Sequence, residues 1–122
     1  MLRYRDHSGG ITHKSLSRLD SVLPKLGRII SVKGYRYKSV VGGYETWREA
    51  VMVRGTNGTA RFEGLLWGYP GEGPRGLRSL LTRLGVSPSK ADTVAFYTCR
   101  EHKLGTDWTL DFSEPRLSME VR

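Results

Sequence analysis

Residues 47–62 read Trp47-Arg48-Glu49-Ala50-Val51-Met52-Val53-Arg54-Gly55-Thr56-Asn57-Gly58-Thr59-Ala60-Arg61-Phe62. Over 47–54, Trp47, Glu49, Val51 and Val53 alternate with Arg48, Ala50, Met52 and Arg54. A period of two is that of a strand with two unlike faces. Asn57-Gly58 follows, and Asn-Gly between alternating segments is the strongest short hairpin signal. Residues 60–67 then read as the returning strand. Working outward, residues 28–33 carry Ile29, Ile30 and Val32 and read as a strand. After Gly34, residues 35–40 alternate aromatic with basic and read as another, half-exposed strand. Val41-Gly42-Gly43-Tyr44 reads as a turn or flexible loop. Residues 108–112 and 117–121 read as the last two strands.

Helices punctuate this pattern. Residues 74–84 form the clearest one. Gly73 suits the cap and Pro74 the first helical position. Leu77, Leu80, Leu81 and Leu84 make an apolar stripe, and Gly85 is a left-handed stop. Thr12 opens an earlier helix reaching Leu23, with Leu16, Leu19 and Leu23 on one face; Pro24 and Gly27 end it. Ser87-Pro88 begins another. Beyond it, Val94, Phe96 and Thr98 alternate, so residues 94–102 fit a strand or a continued helix. The fold class expected is α+β: a mostly antiparallel sheet with two or three short helices packed on one face. One domain spans residues 1–122, with an irregular start over 1–10.

Charge narrows the partner. The chain of 122 residues has a net charge of +8. Residues 1–40 hold nine basic and two acidic residues, whereas the remainder holds eleven and ten. Such asymmetry points to an anionic partner: nucleic acid, a nucleotide or an acidic protein surface. No apolar run approaches the ~20 residues of a membrane span, and no apolar signal core opens the chain, so a cytoplasmic protein without a membrane partner is expected. The one cysteine, Cys99, excludes an intrachain disulfide, and with His7, His13 and His102 it falls into no zinc spacing. No cofactor or metal is implied, and the oligomeric state is not set.

Three segments are candidate sites. The first is the glycine-rich turn from Gly68 to Gly76 at a helix start, where free amides and the macrodipole favour anions. Arg75 and Arg78 would clamp a phosphate, Gly71 and Gly73 would let it approach the backbone, and Trp67 or Tyr69 would stack on a base. It lacks the Gly-Lys-Ser/Thr of a P-loop and the βαβ setting of a dinucleotide fingerprint. Glu72 competes for the same amides, and the segment also reads as a purely structural turn. The second is Lys33, Tyr35, Arg36, Tyr37 and Lys38, where aromatic rings interleave with cations as in binders of single-stranded nucleic acid. On a strand the two tyrosines share one face and Arg36 and Lys38 the other, which opposes stacking if the tyrosines face the core. The third is the helix bearing Lys14 and Arg18, suited to tracking a phosphate backbone. If the turn binds phosphate, the basic first third is expected to fold beside it.

Trp67-Gly68-Tyr69-Pro70-Gly71-Glu72-Gly73-Pro74 and the leucine-rich helix after it resemble a family of small uncharacterised bacterial and phage proteins. Their signature reads roughly Trp-Gly-Tyr-Gly-Gly-x-Gly-Pro. The likeness covers residues 60–112, including the helix end at Leu84-Gly85 and Trp108-Thr109-Leu110. Pro70 replaces a glycine of that signature and removes an amide. The resemblance implies a phage or mobile-element origin and no activity. The function expected is therefore a non-catalytic protein binding an anionic, phosphate-bearing ligand, nucleic acid or nucleotide. The alternative is a phage-type anti-defence inhibitor that acts by protein–protein contact or nucleotide sequestration. Glu101-His102 and Asp107 with Asp111 lack diagnostic spacing, leaving a small hydrolase or nuclease as a minor third reading.

Overall fold

Alternation and turn chemistry build the sheet. The computed structural model describes residues 1–97, 107–112 and 118–121, with the backbone alone for 97 and 118–121. Strands β1 (Leu2–Arg5), β2 (Ile29–Val41), β3 (Tyr44–Gly55), β4 (Gly58–Phe62), β5 (Trp108–Asp111) and β6 (Ser118–Val121) form one sheet in the order β1-β4-β3-β2-β5-β6. All pairings are antiparallel except β1 with β4. Helices α1 (Thr12–Val22), α2 (Glu72–Arg83) and α3 (Pro88–Asp92) complete the α+β architecture, with a 3-10 turn at Leu23–Leu26 and a π-helical turn at Thr93–Tyr97. Among the described residues, no helix is long and apolar enough to cross a membrane.

Several elements differ from the sequence reading. Residues 1–10 are not irregular throughout, because Leu2–Arg5 add a parallel strand to β4. The two strands expected over 28–40 are one strand, β2. Gly34 does not interrupt it. A Cβ there would lie 2.3 Å from Trp108 Nε1, so glycine leaves room for the indole of the paired residue. The loop at 41–44 is a two-residue turn with φ of 60° at Gly42 and 83° at Gly43. Positive φ at both central residues is the type I′ pattern that matches strand twist. The returning strand stops at Phe62, short of residue 67. Helix α2 starts two residues before Pro74, which still lies in the first turn, where no intrahelical partner is lost. Its end is as expected: Gly85 has φ of 90°, and Val86 N–H donates to Leu81 O over 3.0 Å. Of residues 94–102, those up to Tyr97 are helical, which resolves that part against a strand; 98–102 lie outside the described residues.

The core lies on one side of the sheet. Val32, Val51, Val53, Ala60, Phe62, Trp108 and Leu110 face Leu19, Val22 and Leu26 from the α1 region and Leu77, Leu80 and Leu81 from α2, all buried. The register makes this one face, since Val32 stands opposite Val53 and Leu110, and Val51 opposite Phe62. Helices α1 and α2 meet at Gly76, where a Cβ would lie 2.5 Å from Thr12 Cγ2 and 2.9 Å from Leu65 Cδ2. Gly76→Val is therefore expected to wedge the helices apart and cost about 1–3 kcal/mol. A lowered urea midpoint at unchanged m-value checks it.

Candidate nucleic-acid interface

The period of two that places Val32 and Gly34 on the helix side places Lys33, Tyr35 and Tyr37 on the other. Register carries that outer face across four strands. Tyr35 lies opposite Ala50, Tyr37 opposite Arg48, Lys33 opposite Met52, Met52 opposite Arg61, and Arg61 beside Arg5. Arg54 and Arg3 share it. Among the described residues, every one of these side chains except Ala50 is exposed or half-buried. Six cations thus share the face with Glu63, at the end of β4, and Asp111.

The tyrosines and cations are interleaved between strands. Tyr35 and Tyr37 have ring centroids 6.1 Å apart at 44°. The Arg61 guanidinium lies 4.3 Å from the Tyr37 ring and 5.8 Å from that of Tyr35, while Lys33 Nζ lies 5.3 Å from Tyr35. Arg36 and Lys38, their sequence neighbours, point to the opposite side, 4.9 and 5.5 Å from the Trp47 ring. The alternation that opposed stacking in the sequence is real, yet it puts the tyrosines on the open face, away from the core. Burial pushes the Tyr35 phenol above its ordinary range, against the pull of Arg61, so the ring stays neutral at physiological pH.

Glu63 organises this cluster. Its side chain is 12% exposed, and its Oε1 lies 3.2 Å from Arg5 Nη2 and 3.4 Å from Arg61 Nη2. Tyr37 O–H donates to the same oxygen over 3.4 Å. One carboxylate against two guanidiniums leaves excess positive charge. Moreover, Nε of Arg61 is buried without a hydrogen-bond partner, and its Nη2 is held only by the ion pair with Glu63. A guanidinium donor left without a partner beside an aromatic platform suits phosphate or a base edge. A network below fixes Glu63: its N–H donates to both carboxylate oxygens of buried Asp6, which also accepts from Ser15 Oγ.

The glycine-rich turn is built differently. Trp67 is 2% exposed and meets Trp108 edge-to-face at 5.8 Å, so its ring belongs to the core rather than to an open stacking site. Tyr69 is 41% exposed, but its ring closes over the helix start: a Cβ at Gly71 would lie 2.6 Å from Tyr69 Cε2, and one at Gly73 2.9 Å from its hydroxyl. The two glycines thus make room for Tyr69. Arg78 Nε is 2.9 Å from Asp92 Oδ1, while Arg75 is exposed on the groove beside it. The turn stands on the helical side, away from Lys33, Tyr35 and Tyr37. Lys14 and Arg18 line a groove on α1 with Tyr4 and His7, also off the tyrosine face. The basic first third is therefore divided among three places.

Sequence reasoning missed Arg5, Arg48, Arg61 and Glu63. Their signal was the strand pairing itself, which only the register reveals. Of the residue pairs weighed for catalysis, Glu101-His102 lies outside the described residues, and Asp107 Oδ1 accepts from Arg36 N–H over 3.0 Å. No protein family, curated protein or solved structure matches the chain.

Glu49 gives a pH signature. Burial raises its carboxyl above the ordinary range, with Arg36 opposing and Asp107 adding to the rise; burial likewise raises the Tyr69 phenol, and Glu49 adds to that rise. A raised carboxyl binds its proton more tightly in the folded state. Its contribution to stability is therefore full below the unfolded pKa and lost as pH rises through the folded one. Thermal melts between acid and neutral pH should show this decline, and Glu49→Gln should flatten it and raise the neutral melting temperature.

Proposed function

We propose that the chain is a non-catalytic binding protein that holds a phosphate-bearing anionic ligand, and that this ligand is single-stranded nucleic acid lying on the open face of the sheet. The observation that carries this reading is the Tyr35–Tyr37 pair under Arg61, set among Lys33, Arg5 and Arg48. Every base has a π-face, so such a platform holds unpaired bases while the cations hold the backbone. The cations extend from β1 to β2, three inter-strand steps or about 14 Å. A free nucleotide would engage only part of that span. A duplex keeps its bases stacked internally and offers nothing to the tyrosines.

A second reading, inhibition by protein–protein contact, draws on the tip of the β2–β3 hairpin. There Val40, Val41 and Tyr44 are exposed. Labelled single-stranded RNA and DNA, the matching duplex and ATP separate these readings by fluorescence anisotropy and thermal shift. The first reading expects the single strands to bind tightest, and Arg75→Ala with Arg78→Ala to change that affinity by less than about twofold, since the α2 start is off the face. Equal affinity for the duplex, or no binding at low salt, overturns it.

A further inference from the structure

We propose that the helix-side base of the β2–β3 arm reads one nucleobase, and that guanine is the base it fits. The inference rests on the single-strand reading above. Among the described residues, β2 and β3 continue beyond Gly34 and Val51 as a two-stranded arm, because β5 begins opposite Gly34 and β4 ends opposite Val51. Arg36 and Glu49 are directly opposed at its base. They have opposite charge and share a face, yet Nε and Nη1 of Arg36 and Oε2 of Glu49 are buried without a hydrogen-bond partner. The Arg36 guanidinium lies against Trp47 instead, 4.9 Å from its ring, while the Arg36 N–H is held by Asp107. Buried polar groups are costly when unpaired. A ligand that donates to Glu49 and accepts from Arg36 would satisfy both.

Base edges differ in this respect. Guanine presents N1–H and N2–H₂ donors beside the O6 acceptor. A carboxylate takes both donors and a guanidinium takes O6. Adenine and cytosine place their amino donor beside a ring-nitrogen acceptor, which faces a carboxylate badly. Uracil has one donor between two acceptors. Trp47, 52% exposed, supplies a ring beside the pair, and Lys38 Nζ lies 5.5 Å from that ring.

The Glu49 side of this pair is continuous with the outer face, and Arg36 stands across from it on β2. Trp47, Glu49 and Leu66 line a groove of about 220 Å³ together with Tyr37 and Arg48. It runs around the β3 edge that β4 leaves unpaired. A strand whose bases stack on Tyr35 and Tyr37 would therefore pass this edge and place its next base near Arg36 and Glu49.

The test uses labelled oligouridylate and three versions with one uracil replaced by guanine, adenine or cytosine, bound at one low salt concentration. The guanine version is expected to bind about tenfold tighter than oligouridylate, the scale of a bidentate base contact. Glu49→Gln should reduce that preference, read as the ratio of guanine-version to oligouridylate affinity within the variant, to less than about twofold. The variant is isosteric and removes a half-buried charge, and a thermal melt confirms its fold. Equal binding of all four oligonucleotides, or a guanine preference that survives Glu49→Gln, overturns the inference while the single-strand reading stands. Failure of oligouridylate itself to bind overturns that reading and the inference with it.

Discussion

Tyr35→Ala with Tyr37→Ala is expected to weaken single-strand binding by roughly two orders of magnitude, since each stacked base contributes about 1–3 kcal/mol. Fold loss is not the cause. Both rings lie on the open side, outside the cluster that buries Trp67, Trp108 and the α2 leucines. Arg61 loses its aromatic support but keeps Glu63 3.4 Å away. Tyr35→Phe with Tyr37→Phe supplies the control. It preserves both π-faces and deletes only the Tyr37 hydroxyl contact with Glu63, so affinity should stay near that of the native chain. Anisotropy at fixed salt measures the affinities, and thermal melts confirm that both variants fold. If the alanine pair binds as well as the native chain, the cations act without the rings and the stacking account is wrong.

The largest stability effect should come from Trp108→Ala. Its indole is fully buried, meets Trp67 edge-to-face at 5.8 Å and fills the space above Gly34. Truncating a buried tryptophan costs about 3–5 kcal/mol. Against a typical total of about 5–15 kcal/mol, that brings a domain of this size near its unfolding limit. Trp108 Nε1 is buried without a hydrogen-bond partner. The indole therefore acts through packing, and Trp108→Phe, which removes the orphan donor and keeps a ring, should cost clearly less than alanine. Gly34→Ala should imitate the loss from the other side by displacing the indole. Urea denaturation of the three variants gives the order: alanine at 108 worst, phenylalanine mildest.

What was legible in the sequence followed local rules. The leucine stripe of α2, its Gly85 stop and the Ser87 cap, whose side chain accepts from Lys90 N–H, depend on neighbours within a few positions. The α+β class and the placement of helices on one face followed from the same periods. What was not legible depended on partners distant in the chain. Leu2–Arg5 is too short to announce itself and becomes a strand only because β4 offers a free edge. Gly34 looked like a break until Trp108 explained it. The alternation over Tyr35–Lys38 stated that two faces exist but not which one the helices cover. Trp67 looked like a stacking residue because it precedes a helix start; the core needed it, and only Trp108, forty-one residues on, shows why. The basic outer face was legible only in part: Lys33, Tyr35 and Tyr37 stand out in the sequence, but the cations that join them come from β1, β3 and β4.

The most direct test of the central claim is the salt dependence of single-strand binding by the native chain. Each phosphate neutralised contributes about −0.7 to the slope of log K against log salt for single strands. With Lys33, Arg5, Arg48 and Arg61 engaged, the slope should lie near −3, and it should become shallower by about one such step in Arg48→Ala. A slope near zero, or no binding at the lowest salt, contradicts the account.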